Sequence, residues 1–283
     1  MKKLECRNEN GRFVRIHGSA SGLYDGCRLA YGGLRTLMSL SFARERCLCC
    51  NRTCAGNPLC AGCLESRLGR FEVDFSRRCT VCGRELLSES GTCMKCRSEN
   101  GFSHLDRVFP LFPYRLWIKR LIYQWKVGNR RSLSPVFADV MDAGLKRLSE
   151  SEGPFVLVPV PPRPGKIRRK GWDQMDEVCR ILGKCRGYPV LRLLRRFSVS
   201  QQKKLDRAGR LGARKSSYGR AGNFSSELDS WSLKFRGKKG FVPETAVIMD
   251  DVITTGATVD SCAEILRGMG ISRVIALSLV IVD

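Results

Sequence analysis

Thirteen residues near the C-terminus, 246–258, constrain the fold of this chain more than any other segment. The apolar run 246–249 predicts a buried strand, because both of its faces are hydrophobic. Asp250 and Asp251 follow at its carboxyl end, and the pattern after 258 predicts an amphipathic helix. This order places backbone N–H groups at a helix N-terminus, where a phosphate is favoured, with two carboxylates nearby to accept from sugar hydroxyls. The turn between them consists of Thr254, Thr255, Gly256, Ala257 and Thr258.

The segment resembles the signature of the type I phosphoribosyltransferases, whose ligand is 5-phosphoribosyl 1-pyrophosphate. The resemblance implies that Asp250 and Asp251 are the catalytic pair, gripping the 2′- and 3′-hydroxyls of ribose, and that the turn 254–258 cradles the 5′-phosphate. The alternative is an ordinary strand–turn–helix whose acids only cap the helix. A cap needs one side-chain oxygen, whereas this segment has two adjacent acids and three threonines.

Four Cys-x-x-Cys pairs lie between residues 47 and 96. The chain shows no secretory signal and no run near the roughly 20 apolar residues of a membrane helix, so we expect a cytoplasmic protein without membrane insertion. In that compartment 15 cysteines indicate metal rather than disulfides. Two pairs complete one tetrahedral zinc site, so two ions are predicted. Similar short intervals favour sequential pairing (a tandem ribbon) over interleaved pairing (a cross-brace), and Cys49 and Cys54 are spare thiols that could compete. The predicted ligands are Cys47, Cys50, Cys60, Cys63, Cys79, Cys82, Cys93 and Cys96.

The formal net charge of +23 favours polyanionic partners, nucleic acid or phosphorylated metabolites. Residues 163–220 hold 18 Lys and Arg against 4 Asp and Glu. Phosphate contacts together with aromatic stacking suffice to bind single-stranded DNA. Trp117, Trp125 and Trp172 are candidates for stacking, although their spacing is also typical of a core. A solvated basic surface is the alternative for most individual lysines.

Strand and helix patterns alternate after residue 101, which predicts an α/β, doubly wound parallel sheet with ligands at the carboxyl ends of its strands. The spacing of Ile118, Leu121, Ile122 and Trp125 predicts a helix with one buried face. Residues 219–240 are predicted to be loop with one short strand. The predicted organisation is a poorly ordered segment 1–33, a double zinc ribbon 34–100 with a lead-in helix at 34–42, and a globular domain 101–283.

Further blocks carry a wider resemblance: 121–126 (LIYQWK) before Gly128, 158–161 (VPVP), 169–174 (RKGWDQ) and 202–210 (QKKLDRAGR). With the cysteines and the turn, they make the chain from about residue 34 onward resemble the ComF family. These bacterial proteins have a double zinc ribbon before a phosphoribosyltransferase-like domain and are associated with competence for DNA uptake. The departures from the family pattern are Trp172 and Asp173 for Phe-Asn, Lys203 and Lys204 for Ser-Gly, and Gly209 where an acid is common.

Phosphoribosyl transfer also requires that the pyrophosphate leaving group be neutralised, by Mg²⁺ bound with the ligand and by basic side chains. Arg163, Arg169 and Lys170 are the candidates, while no residue specifies an acceptor base. The resemblance implies a protein of DNA uptake that binds 5-phosphoribosyl 1-pyrophosphate, or a related phosphorylated sugar, and contacts single-stranded DNA. An active phosphoribosyltransferase of nucleotide salvage is the alternative. A zinc module that docks a helicase-like protein partner is a third hypothesis.

Overall fold

The computed structural model describes residues 5–7, 13–15, 45–54, 57–69, 77–98, 101–197 and 217–282. The strands in these ranges are β1 (Glu5–Arg7), β2 (Phe13–Arg15), β3 (Glu45–Arg46), β4 (Thr53–Cys54), β5 (Arg107–Pro113), β6 (Val156–Pro159), β7 (Leu194–Arg196), β8 (Tyr218–Arg220), β9 (Thr245–Ile253) and β10 (Arg273–Ile281). The α-helices are α1 (Ala61–Leu64), α2 (Met94–Ser98), α3 (Leu116–Lys126), α4 (Ser134–Glu152), α5 (Lys166–Lys170), α6 (Gln174–Arg186), α7 (Phe224–Arg236) and α8 (Ala257–Arg267). A π-helix spans Glu65–Gly69 and a 3₁₀-helix Arg131–Leu133.

A parallel sheet of four strands, in the order β5-β10-β9-β6, forms the centre of the fold. Met249 of β9 pairs with Leu277 of β10 on one side and with Pro159 of β6 on the other. A single bridge from Leu157 to Val190 extends the β6 edge. The strands are apolar on both faces because both faces are covered. The α/β fold class predicted from the sequence is confirmed.

The helices that follow β6 and β9 cover opposite faces of the sheet. Helix α6 follows β6 and packs with α3 and α4 in the core on one face. Helix α8 follows β9 and packs in the core on the other face. The strand order therefore reverses between β6 and β9, which opens a crevice at their carboxyl ends where ligands of such sheets bind.

Several local predictions are confirmed by these elements. Helix α3 buries Ile118, Leu121, Ile122 and Trp125, and Trp125 and Trp172 are core residues with 0% and 6% of their surface exposed. The prediction for 219–240 is wrong, because most of it is helix α7. Only Leu228 and Ser232 of α7 are buried, so its apolar stripe is too weak to mark a helix in the sequence.

Some predictions fall outside the described residues. They are the lead-in helix at 34–42, most of the segment 1–33, and the basic block 202–210. Within 1–33 the structure describes β1 and β2, which pair antiparallel. The division of the chain at residues 33 and 100 stays a prediction. Within the ranges that are described, none of the helices is both long and apolar enough to cross a bilayer.

Both cysteine-rich segments pack against the sheet and its helices. Cys47, Leu59 and Cys63 belong to the core on the α3 face. The second segment runs beside β5, where the Val108 N–H donates to the carbonyl of Val81 over 2.8 Å. Arg78 adds a hydrogen bond to the Pro110 carbonyl of β5. Gly83 packs so close to β5 that a Cβ at this position would stand 2.5 Å from the Val108 oxygen.

Candidate functional site

The crevice between β6 and β9 opens where the two strands part. The last contact between them is the Val160 N–H donating to the Met249 carbonyl over 3.0 Å. Asp250 and Asp251 come next on β9, beyond the reach of β6. The sequence predicted that they follow the strand, but β9 continues to Ile253 because β10 pairs with it that far. The two acids are therefore fixed by a regular strand rather than by a loop.

The carboxyl groups of Asp250 and Asp251 are close and incompletely neutralised. Burial, followed by the charge of Asp251, raises the pKa of Asp250 well above its usual range. Two interactions oppose this shift: the hydrogen bond from the Asp251 N–H, 2.8 Å from Asp250 Oδ1, and the positive charge of Lys126. Lys126 itself donates to Asp251 Oδ1 over 2.9 Å. A pair of acids with so few donors is well suited to accept hydrogen bonds from the hydroxyls of a ligand.

The turn 254–258 lies next to these acids and is exposed to solvent on one side. Thr254, Thr255 and Ala257 are exposed, whereas Gly256 is buried. Gly256 precedes α8 with a φ of 80°. Phe102 covers it so closely that a Cβ would come 2.3 Å from its ring, so only glycine fits. The N-terminal N–H groups of α8 are thereby held beside the exposed threonines, as a phosphate site requires.

Two contacts hold the first turn of α8 in place. The carboxylate of Asp260 accepts the backbone N–H groups of His104 and Leu105 over 2.8 and 3.0 Å. The phenol of Tyr218 is hydrogen-bonded to Thr258. The geometry of the turn thus depends on the segment 101–105, which links the second cysteine segment to β5.

The predicted pyrophosphate residues follow β6, and among them Lys170 contacts a residue that binds one of the acids. Lys170 donates to the carbonyl of Lys126, the lysine that binds Asp251, so it lies on the rim of the crevice. Burial, and then the charge of Lys166, lowers the pKa of Lys170. Arg163 and Arg169 are exposed, and no contact in the described part of the chain joins them to either acid.

Sequence reasoning missed Lys126 and Lys166 as members of this site. Lys166 donates to Asp173 over 2.6 Å, at the N-cap of α6. Lys126, at the end of α3, belongs to the block 121–126 that carries the wider resemblance, but no role in the site was predicted for it. Its position at the end of that helix, two residues before a glycine, was the available signal. Its pairing with an acid 125 residues away was not visible in the sequence.

The eight predicted metal ligands form two groups of four, joined in sequential order: Cys47, Cys50, Cys60 and Cys63, then Cys79, Cys82, Cys93 and Cys96. Within each group the sulfurs all lie within 4.8 Å of one another. The Sγ atoms of Cys50 and Cys60, and those of Cys82 and Cys93, are 3.6 Å apart. Tetrahedral zinc–thiolate bonds of about 2.3 Å require a similar spacing. Each group could therefore hold one zinc ion, whereas Cys49 and Cys54 lie outside both.

Backbone N–H groups stabilise the thiolate form of one cysteine in each group. Burial raises the pKa of Cys47, but N–H groups, with that of Cys50 foremost, outweigh it and lower the value to about 6. The same balance lowers the pKa of Cys79 to about 7. In both groups the third cysteine donates its N–H to the first sulfur over 3.3 Å. Thiolate is the form that binds metal, so this chemistry fits zinc.

Arg84 connects the second cysteine group to the turn 254–258. It follows Cys82 by two residues, and its Nη2 donates to the carbonyls of Thr254 and Val282 over 3.3 and 3.0 Å. Its Nε is buried and has no hydrogen-bond partner among the described residues. A cleft of about 480 Å³ lies between this segment and the turn. The metal module therefore contributes a side chain to the wall of the candidate site.

Comparison with known proteins relates the chain to two competence proteins. It is 25% identical to competence protein ComFC of Streptococcus pneumoniae over an alignment of 252 residues, and this alignment covers 87% of this chain and 93% of that protein. It is 26% identical to competence protein F of Haemophilus influenzae over an alignment of 242 residues, and this alignment covers 83% of this chain and 96% of that protein. No protein-family model matches the chain. The resemblance to the ComF family predicted from the motifs is confirmed by these two relatives and by the paired cysteine groups.

Proposed function

We propose that this chain binds 5-phosphoribosyl 1-pyrophosphate in the crevice between β6 and β9 and acts in competence for DNA uptake. One observation carries the first part: Asp250 and Asp251 stand on a rigid strand beside an exposed threonine turn at a helix N-terminus. Two relatives that are named competence proteins support the second part. The two groups of four cysteines, which are placed to bind metal rather than to form disulfides, support a cytoplasmic location.

The ligand would be divided among three sets of groups. The two acids accept from the 2′- and 3′-hydroxyls of ribose, and the turn 254–258 donates N–H and hydroxyl groups to the 5′-phosphate. The pyrophosphate faces the basic rim to which Lys170 belongs. Mg²⁺ would enter with the ligand, held mainly by phosphate oxygens and water, since the crevice offers few carboxylates.

Transfer of the phosphoribosyl group to a base is a second candidate function. The observation that favours it is the position of the two acids on a regular strand, because an ionised carboxylate beside the ribose stabilises the cationic centre that develops during transfer. Release of pyrophosphate in the presence of Mg²⁺ and a panel of bases would demonstrate it. Donor binding without any release would leave a binding protein.

Calorimetric titration with 5-phosphoribosyl 1-pyrophosphate, with and without Mg²⁺, tests the binding proposal. The double variant Asp250→Asn/Asp251→Asn is expected to bind at least about a hundredfold more weakly, because two charge-assisted hydrogen bonds are lost. Asp229→Asn, on α7, is a control that removes a carboxylate from a different element. Equal affinity of wild type and double variant would refute the assigned grip on ribose.

Arg84→Met tests whether the metal module supports the phosphate turn. We expect the affinity for the donor to fall about five- to tenfold, since a charged donor to the Thr254 carbonyl is lost. Zinc content, measured by mass spectrometry, is expected to stay unchanged. Arg97→Met, an exposed change in the same module, serves as control. Loss of zinc in Arg84→Met with unchanged donor affinity would contradict this role.

Contacts with nucleic acid are the third part of the proposal. The net charge of +23 supports them, as do relatives named for competence. A helicase-like protein partner for the zinc module is a further proposal. A salt titration of single-stranded DNA binding tests the nucleic-acid contacts, because phosphate contacts make log K fall linearly with log salt concentration.

A further inference from the structure

A cleft of about 240 Å³ lies between the first cysteine knuckle and α3, apart from the crevice described above. Three of the residues that line it are arginines, Arg46, Arg120 and Arg130, and none is an acid. Asn51 and Ser132 add neutral polar side chains to the wall. The structure records no ion pair between these arginines and a carboxylate of the described ranges. The adjacent Arg131, in contrast, donates to Glu177 over 2.8 Å.

The three arginines come from separate, well-fixed parts of the fold. Arg46 ends β3 and directly precedes Cys47, whose knuckle is closed by the Asn51 N–H donating to the Cys47 carbonyl over 2.8 Å. Arg120 lies on the exposed side of α3, and Arg130 lies in the turn after that helix. Because Cys47 and the inner face of α3 share one core, the two walls of the cleft are held together.

Three guanidinium groups in one concavity repel each other unless an anion lies among them. The planar guanidinium forks match pairs of phosphate oxygens, and neutral side chains can complete the donor set. The chemistry of this cleft therefore favours a phosphate group.

Tyr123 indicates which kind of phosphate. It stands three residues after Arg120, on the same side of α3, and is 56% exposed. An exposed ring beside a phosphate site is the combination by which proteins bind single strands, since bases stack on the ring while the backbone meets the cations. A free phosphate would make no use of such a ring.

We propose that the cleft formed by Arg46, Arg120 and Arg130 binds backbone phosphates of single-stranded nucleic acid, with Tyr123 stacking a neighbouring base. The inference rests on the nucleic-acid contacts of the proposed function and assigns them a site. It is independent of the crevice between β6 and β9. The strand would lie along the outer side of α3 and against the first metal knuckle.

Fluorescence anisotropy with a labelled oligothymidylate, over a range of salt concentrations, tests the site. The variant Arg46→Gln/Arg120→Gln/Arg130→Gln is expected to lower affinity at least about tenfold and to reduce the salt slope by about 2, at roughly 0.7 per lost phosphate contact. The control Lys234→Gln/Arg236→Gln/Lys239→Gln removes the same charge at three exposed positions in and after α7 and is expected to keep the slope. Tyr123→Leu is expected to lower affinity about fivefold or more with the slope unchanged.

Each remaining outcome decides against the site in a distinguishable way. Equal losses in the two triple variants would show that general charge, not this cleft, binds the strand. Equal competition by thymidine monophosphate would overturn the assignment to a strand. Absence of wild-type binding would remove the nucleic-acid contacts altogether, while donor titration reports separately on the crevice. Zinc content checks that the variants are folded. The variant Arg46→Lys/Arg120→Lys/Arg130→Lys keeps the charge, so it is expected to retain the salt slope of the wild type but to bind the strand more weakly.

Discussion

Removal of zinc with a strong chelator is expected to unfold the second cysteine module and to weaken donor binding at least about tenfold. That module has only a small core of its own, made of Leu86 and three cysteines, so metal binding supplies its folding free energy. Arg84 would leave the phosphate turn together with it. Mass spectrometry of the native protein is expected to find two zinc ions per chain before chelation.

Hydrogen exchange can locate the segments that lose their structure when zinc is removed. Increased exchange is expected at residues 77–98 and 254–256, while β9 and β10 stay protected because both lie in the main cores. A matched pair of variants separates the two ions: Cys82→Ser is expected to weaken donor binding, and Cys50→Ser is expected to leave it nearly unchanged. An apo protein that keeps the donor affinity of the zinc-loaded form would contradict the link between the metal and the phosphate turn.

The sequence predicted those parts of the fold whose signals are local. The stripe of α3, the strand at 246–249 and the Asp-Asp-turn order all follow from spacing that a few neighbouring residues determine. Helix α7 was missed because it buries little, and the end of β9 was missed because β10 decides it. The error at β9 reflects a partner elsewhere in the chain, whereas the error at α7 reflects a helix that buries little apolar surface.

The residues of the candidate site likewise divide into those that local sequence predicts and those that only the folded chain brings together. The acids and the turn were visible because they are consecutive, and the cysteine groups were visible because each knuckle repeats. The contribution of Lys126 to Asp251 and that of Arg84 to Thr254 span 125 and 170 residues, so only the folded chain brings these groups together. Residues that support a site from distant segments carry no periodic signal in a single sequence.

Asp250→Asn is expected to make the protein more stable while it weakens donor binding about ten- to a hundredfold. The wild-type carboxylate is half-buried beside Asp251, and its desolvation and that neighbouring charge both raise its pKa in the folded protein. Replacing it by a neutral amide removes this repulsion, and we expect the free energy of unfolding to rise by roughly 0.5–2 kcal/mol. The lost acceptor accounts for the weaker binding. Thermal unfolding and calorimetric titration of the same preparation measure the two changes.

The pH dependence of stability distinguishes this explanation from a general gain in packing. Because the pKa of Asp250 is raised, the folded protein binds a proton more tightly than the unfolded chain does. Wild-type stability from this group is therefore fully present below the ordinary carboxyl pKa and is lost as the pH rises through the raised value. The advantage of Asp250→Asn should grow over that interval and vanish in acid. A stability difference that does not change with pH would show that the Asp250 charge is not its cause. A variant that is less stable at neutral pH would show instead that the wild-type carboxylate holds the strand in place, and the site would then be structural rather than ready for a ligand.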